Sequence, residues 1–171
     1  MTISMYQASV PTFVHTLEAM SKILDKAEAF CTAKKVDPTI LVNARLAPDM
    51  FALARQVQIA CDFAKGASAR LAGIDVPAYE DGEKSIADLK GRIKKTVDFI
   101  KTLKPAQIDG SEDRDINLKI AGNPHTFKGE PYLVSFAIPN YYFHLTTAYA
   151  ILRHNGVELS KGDFLGMSFN R

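Results

Sequence analysis

The chain has 171 residues, of which 47% are hydrophobic and 23% are charged. This length fits one domain with its own core, and the composition excludes a disordered chain. The formal net charge is only +2. The longest basic group (Arg92, Lys94 and Lys95) is diluted by Asp88 and Asp98, which favours a solvated helix face over a nucleic-acid interface.

No apolar run approaches the roughly 20 residues that span a bilayer. Residues 1–5 lack the basic and apolar regions of a signal peptide. We therefore expect a cytoplasmic protein with no membrane partner. Cys31 and Cys61 lie in apolar helical stretches and form no CxxC pair, which predicts reduced, buried thiols rather than a disulfide or a zinc site.

Four segments have apolar residues at every third or fourth position, which is typical of amphipathic helices. The first predicted helix spans about 6–33 and is followed by a loop through Asn43. The second spans about 48–71. Pro48 suits the first turn of this helix, and Gly73 suits a left-handed end cap.

The third predicted helix follows Ser85, a plausible N-cap residue, and is stopped by Pro105. After it the apolar pattern changes to alternation over residues 113–120. This alternation predicts a short β-hairpin between the third and fourth helices, with His125 and Phe127 on its return strand.

The fourth predicted helix spans about 131–155, with a bend at Pro139 and an end cap at Gly156. A loop containing residues 162–166 closes the chain. Each apolar stripe needs a partner that buries it, and four helices can cover one another. We therefore predict a mainly all-α single domain over residues 1–171, built as a four-helix bundle.

The four histidines can be placed one by one. Helix geometry puts His144 in the middle of the inward face of the fourth helix, with Asn140 one turn away on the same face. His154 is rotated by about 80° and displaced by roughly 15 Å from His144, so the two cannot share a metal ion. His15 falls on the surface side of the first helix, and His125 belongs to the hairpin.

The second predicted helix adds two polar groups, because Asp49 and Gln56 are seven residues apart and share its inward face. Its exposed side is formed by Arg55, Gln58, Asp62 and Lys65. Burying polar groups without partners costs about 1–3 kcal/mol each. The pattern predicts either a network that only satisfies itself or a small pocket lined by Asp49, Gln56, Asn140 and His144, with Tyr141 or Tyr142 beside it.

Several stretches resemble a bacterial family of domains of unknown function, which is grouped with the DinB-like and YfiT-like superfamily of metal enzymes. The resemblance covers essentially the whole chain. It is carried by RLAPDMF at 45–51, QVQIA at 56–60, RLAG at 70–73, PNYYFH at 139–144, AYAILRHNG at 148–156 and DFLG at 163–166. It implies a four-helix bundle, and it implies homodimers, which many members form.

The superfamily pattern is a histidine on the second helix and a His-x-x-x-His pair on the fourth, which together hold a divalent metal. In this chain His144 matches the second histidine of the pair, Asn140 stands in place of the first, and Gln56 occupies the position on the second helix. Carboxamides are weak ligands for transition metals compared with imidazole. The resemblance thus implies a degenerate site, with no cofactor and no tightly bound metal, or a weak divalent ion held by His144 with water.

Three functions remain open at this point. The first is a small-molecule site in which His144 acts as a general acid or base and Asn140 and Gln56 orient the ligand. The second is a non-enzymatic, homodimeric stress or interaction module with an interface paved by the aromatic residues between positions 127 and 143. The third is a divalent-metal-dependent transferase or hydrolase, as the resemblance implies. No phosphate-binding glycine loop, nucleophile elbow or His-Glu-x-x-His motif supports another enzyme class.

Overall fold

Four long helices form a bundle in the computed structural model, which describes residues 3–167. In chain order the elements are α1 (Met5–Lys34), α2 (Pro38–Asn43), α3 (Leu53–Ala72), α4 (Ile86–Lys101), α5 (Pro105–Ile108), β1 (Asp115–Ile120), β2 (Asn123–Lys128), α6 (Gly129–Pro131), a π-helical segment (Tyr132–Ala137), α7 (Ile138–His154) and α8 (Lys161–Leu165). The helix α3 packs against α4 and α7, and α1 packs against α4 and closes the bundle through contacts with α3 and α7. The predicted mainly helical bundle is confirmed.

The helix α1 matches its predicted range within one residue at each end. Ser4 caps its first turn by accepting a hydrogen bond from the backbone N–H of Gln7, and Lys35 ends it in the left-handed conformation, with φ of 56°. The side chains of Phe13 and Leu17 have no exposed surface. Burial of this apolar stripe, at about 25 cal/mol per Å² of apolar area, is what stabilises the helix within the bundle.

The predicted start of the second helix is wrong. Pro48 and Asp49 form a turn, and α3 begins only at Leu53. Proline followed by aspartate is favoured in turns as well as in a first helical turn, and here the turn prevails. The N–H of Leu53 donates to the carbonyl of Ala44 at 2.9 Å, which fixes the entry into the helix.

Two predicted loops contain short helices. The segment before Asn43 forms α2, because the Asp37 carboxylate accepts from the N–H of Thr39 at 2.9 Å and Pro38 occupies the first turn. The segment 162–166 forms most of α8, since Ser160 and Asp163 make a reciprocal capping box. Such single turns are fixed by side-chain caps, which an apolar periodicity does not detect.

The predicted third helix and hairpin are both confirmed. Ser85 caps α4 together with Asp88. The strands β1 and β2 are antiparallel, with Ile116 opposite Phe127. Ala121 and Gly122 have φ of 48° and 85°, and two successive positive φ angles are typical of the tight turns that match the twist of a hairpin.

The predicted bend at Pro139 takes the form of a π-helical segment just before α7. Proline has no N–H and cannot donate to the preceding helical turn. The N–H of Ile138 donates instead to the carbonyl of Leu133, five residues earlier, which is the π-helical pattern. The extra residue changes the helical phase, so residues before Ala137 do not share a simple face with those after it.

The two cysteines are free and buried, as predicted. Burial raises the pKa of the Cys61 thiol to about 12, so this thiol is not a nucleophile at neutral pH. Among residues 3–167, no helix combines the length and apolar character that crossing a membrane requires.

Candidate functional site

His144 and Gln56 are in direct contact between α7 and α3. The Nδ1 atom of the His144 ring lies 2.7 Å from Oε1 of Gln56. Gln56 is buried and His144 is half-buried. The other end of the Gln56 amide is also held, because its Nε2 donates to the backbone carbonyl of Phe51 at 3.1 Å.

These two hydrogen bonds fix which ring nitrogen of His144 carries the proton. If the Gln56 amide were reversed, its oxygen would face the carbonyl oxygen of Phe51 and two acceptors would repel each other. The amide oxygen therefore faces His144 and accepts a hydrogen bond from Nδ1–H. A neutral imidazole has a single N–H, so Nε2 carries a free lone pair.

The surroundings of His144 favour the neutral ring. Burial lowers its pKa, and the positive charge of Arg55 lowers it further. An ordinary histidine titrates near 6.5, so His144 is neutral at pH 7 with Nε2 as an acceptor. The unprotonated Nε2 can accept a proton or a hydrogen bond from a bound molecule.

Aromatic rings flank the imidazole. Phe63 lies nearly parallel to it, with ring centroids 6.1 Å apart, and Phe143 lies nearly perpendicular at 5.2 Å. The Phe143 side chain is 58% exposed. The site is therefore a polar pair edged by apolar rings, one of which reaches the surface.

The other predicted site residues are not joined to His144. Asn140 is half-buried on α7, and its side-chain amide donates to the carbonyl of Phe136 at 2.7 Å. The hydroxyl of the buried Tyr141 shares a hydrogen bond of 2.6 Å with Thr16, so Tyr141 belongs to the contact between α7 and α1.

Asp49 does not share a helical face with Gln56, because α3 begins after it. Its side chain is exposed in the preceding turn. Within residues 3–167, no hydrogen bond or ion pair joins its carboxylate to another side chain. The predicted pocket is thus reduced to Gln56 and His144, with Asn140 beside them on α7.

The residues present do not fit the metal site that the resemblance implies. The Gln56 oxygen is engaged by His144, and Asn140, whose Nδ2 donates to the Phe136 carbonyl, offers only a weak carboxamide oxygen. In the part of the chain that the structure describes, no three His, Cys, Asp or Glu side chains are grouped so that they could hold a metal ion. One imidazole nitrogen is too few for a transition-metal site.

A buried charged cluster beside α3 was not predicted. Arg92 was expected on a solvated face, yet its side chain is only 1% exposed and pairs with Asp62, Asp81 and Glu83 at 2.9, 2.9 and 3.0 Å. We call these four residues the Arg92 cluster. It holds the segment 74–85 against α3 and α4, because Asp81 and Glu83 lie in that segment, Asp62 lies on α3 and Arg92 lies on α4.

The predicted exposed side of the second helix is wrong because the segment 74–85 covers part of it. Gln58 and Lys65 are buried beneath the segment 74–85. The Lys65 ammonium lies 3.9 Å from the ring centroid of Tyr79, and Lys95 approaches the same ring at 4.1 Å. The acidic residues of the segment 74–85 could have indicated this contact, because their charges are opposite to those of the basic residues on α3 and α4.

The Arg92 cluster also reaches the surroundings of His144. Asp81 pairs with Arg92 and with Arg55, and Arg55 precedes Gln56 on α3. The carboxylate of Asp81 thereby holds the guanidinium whose charge lowers the pKa of His144.

Most of the aromatic residues between positions 127 and 143 pack inside the molecule. Tyr132 and Tyr141 are fully buried, and Phe127 and Phe136 stack on each other with centroids 5.3 Å apart. Phe143 is the exposed member. These residues serve mainly as core, and they do not pave a surface.

Comparisons with known proteins agree with this architecture. A family model described as "Domain of unknown function (DUF1993)" matches residues 5–165. The crystal structure of a DinB family member protein from Shewanella denitrificans is similar, with 42% sequence identity and a TM-score of 0.86, over 97% of this chain and 94% of that one. A search of curated proteins found no match.

Proposed function

Because the chain belongs to the DUF1993 family and to the DinB-like group, and neither name specifies a reaction, we propose a function from its own side chains. The protein binds a small molecule at His144 and, where that molecule carries an ionisable proton, His144 accepts or donates it. The hydrogen bond of 2.7 Å between His144 and Gln56 is the observation that carries this proposal.

The reason lies in what that hydrogen bond does to the ring. A histidine that only completes a core needs no particular tautomer and no accessible lone pair. Here the Gln56 amide, itself held by the Phe51 carbonyl, presents Nε2 as the acceptor of a half-buried ring. Orientation of a histidine through its second nitrogen is a common device in catalytic and binding sites.

Replacing His144 with alanine should abolish small-molecule binding at this site. A screen of polar metabolites, followed by NMR on the isotopically labelled full chain, checks this by reporting shifts of the His144 ring and its neighbours. His154→Ala is the matched control, since His154 is exposed at the end of the same helix. The proposal fails if no compound shifts the His144 signals, or if hits bind the His144→Ala variant unchanged.

The absence of a tightly bound metal stays a prediction, and elemental analysis of protein purified without chelators checks it. The donor set around His144 supports it, because the Gln56 oxygen is engaged by His144 and Asn140 offers only a neutral carboxamide oxygen, a weak ligand for a transition metal. A metal-dependent transferase or hydrolase accordingly has no support from these side chains.

Homodimerisation is a second proposal, now resting on exposed apolar side chains. Phe51, Val134 and Phe143 are 56%, 54% and 58% exposed, and a dimer interface that covered them would gain free energy from the burial of apolar area. Light scattering at micromolar concentration should give twice the monomer mass. A monomer at all concentrations would contradict this proposal while leaving the one on His144 intact.

A further inference from the structure

The chemistry of the His144 site limits the ligands that it can take. Among the described residues no side chain or backbone group bonds to Nε2 of His144, and this nitrogen is an acceptor. A ligand must therefore present a hydrogen-bond donor to it. A carboxylate would place an ionised acceptor against a lone pair, which is repulsive.

The charged groups near the site are already paired with one another. Arg55 acts on His144 through its charge, and the Asp81 carboxylate is already engaged by Arg55 and Arg92. Because the Asp81 carboxylate offsets part of the Arg55 charge, and because the ring is half-buried, the site disfavours an ionised ligand of either sign. A neutral hydroxyl satisfies the acceptor without bringing an ionised group into the site.

The flanking rings indicate what carries that hydroxyl. Phe63 stacks on the imidazole, and the exposed ring of Phe143 stands perpendicular to it. Aromatic pairs in stacked or edge-to-face arrangements contribute about 0.5–1.5 kcal/mol beyond burial of their area. A flat ring beside His144 would extend this arrangement, whereas a branched aliphatic group would not.

We propose that the ligand of the His144 site is an aryl hydroxyl compound, whose O–H donates to Nε2 and whose ring packs against Phe143. This inference rests on the proposed function, and it specifies the substrate class for that same site. Recognition needs no metal and no covalent bond, because it consists of one hydrogen bond and one aromatic contact.

Three matched probes test the inference by NMR titration of the labelled full chain. They are 4-methylphenol, toluene, which lacks the donor, and benzoate, which replaces the donor with an ionised acceptor. We expect 4-methylphenol to shift the His144 and Phe143 signals in a saturable way and to bind about three- to tenfold more tightly than toluene, the value of one hydrogen bond. Benzoate should bind more weakly than 4-methylphenol.

Two variants locate the effect. His144→Ala should make 4-methylphenol and toluene equally weak, and Phe143→Ala, at an exposed position where folding is unaffected, should weaken both probes together. His154→Ala should change neither. Equal binding of toluene and 4-methylphenol to the native chain, or tighter binding of benzoate, would overturn the inference.

The outcome separates the inference from the proposed function. If the aryl hydroxyl fails while other compounds from the metabolite screen shift His144, the substrate class is wrong and the site stands. If no compound of any class shifts His144, both are overturned.

Discussion

Replacing Arg92 with methionine is expected to lower the free energy of unfolding by about 3–5 kcal/mol. The Arg92 side chain is 1% exposed, and it is the common partner of Asp62, Asp81 and Glu83. Methionine fills a similar volume but removes the shared cation: Asp81 keeps Arg55 and Asp62 keeps Lys65, whereas Glu83 loses the guanidinium with which it pairs. Glu83, only 12% exposed, bears the largest cost because water cannot replace the lost partner fully.

Urea denaturation followed by circular dichroism measures this loss. Lys94→Met is the matched control, because Lys94 lies on the same helix with 76% of its side chain exposed and, within residues 3–167, pairs only with Asp98. Exposed ion pairs contribute little, so the control should stay within about 0.5 kcal/mol of the native chain. A loss of less than about 1 kcal/mol for Arg92→Met would show that the cluster does not hold the segment 74–85.

Replacing Gln56 with glutamate is expected to raise the pKa of His144, and replacing it with leucine to remove the preference for one tautomer. Glutamate has the shape of glutamine and can still accept from Nδ1–H, and its negative charge favours the imidazolium. It gives up the hydrogen bond to the Phe51 carbonyl, which lowers the stability of the variant. Leucine leaves Nδ1 without an acceptor, so the proton distributes between both ring nitrogens. Titration of the His144 ring signals by NMR follows both changes.

The same substitution should reverse the dependence of stability on pH. In the native chain the pKa of His144 is lowered by burial and by Arg55, so the unfolded state binds the proton first, and stability falls as the pH falls below about 6.5. In Gln56→Glu the pKa lies above the unfolded value, so the stabilisation is present below about 6.5 and is lost as the pH rises through the raised pKa. An unchanged His144 titration in Gln56→Glu would contradict the contact, and His154→Ala should leave that titration untouched.

The bundle could be predicted from the sequence because its information is local and repeated. Apolar positions recur through α1 and α4, and the caps at Ser85 and Gly73 mark helix ends where the structure has them. The start of α3 could not be predicted, since Pro48 suits a turn as well as a helix. The π-helical segment could not be predicted either, because a helix can accommodate the missing N–H of a proline such as Pro139 by a kink, a break or a π-helical turn.

The candidate site was predictable in part. Placing polar residues on inward helix faces led us to expect Gln56 and His144 near each other, and the structure has them in contact. The prediction for Asp49 failed because α3 begins after it. The prediction for Tyr141 failed because its hydroxyl shares a hydrogen bond with Thr16 on α1. The Arg92 cluster was missed because charged residues are expected in solvent, and only the fold of the segment 74–85 brings its carboxylates to Arg92.

The tautomer of His144 is the property on which the proposed site depends, and nitrogen NMR of the full chain at neutral pH measures it directly. The long-range proton–nitrogen spectrum should show Nδ1 of His144 as the protonated ring nitrogen and Nε2 as the unprotonated one. A spectrum with the proton on Nε2 would mean that Gln56 does not hold Nδ1–H, and would contradict the account of this site.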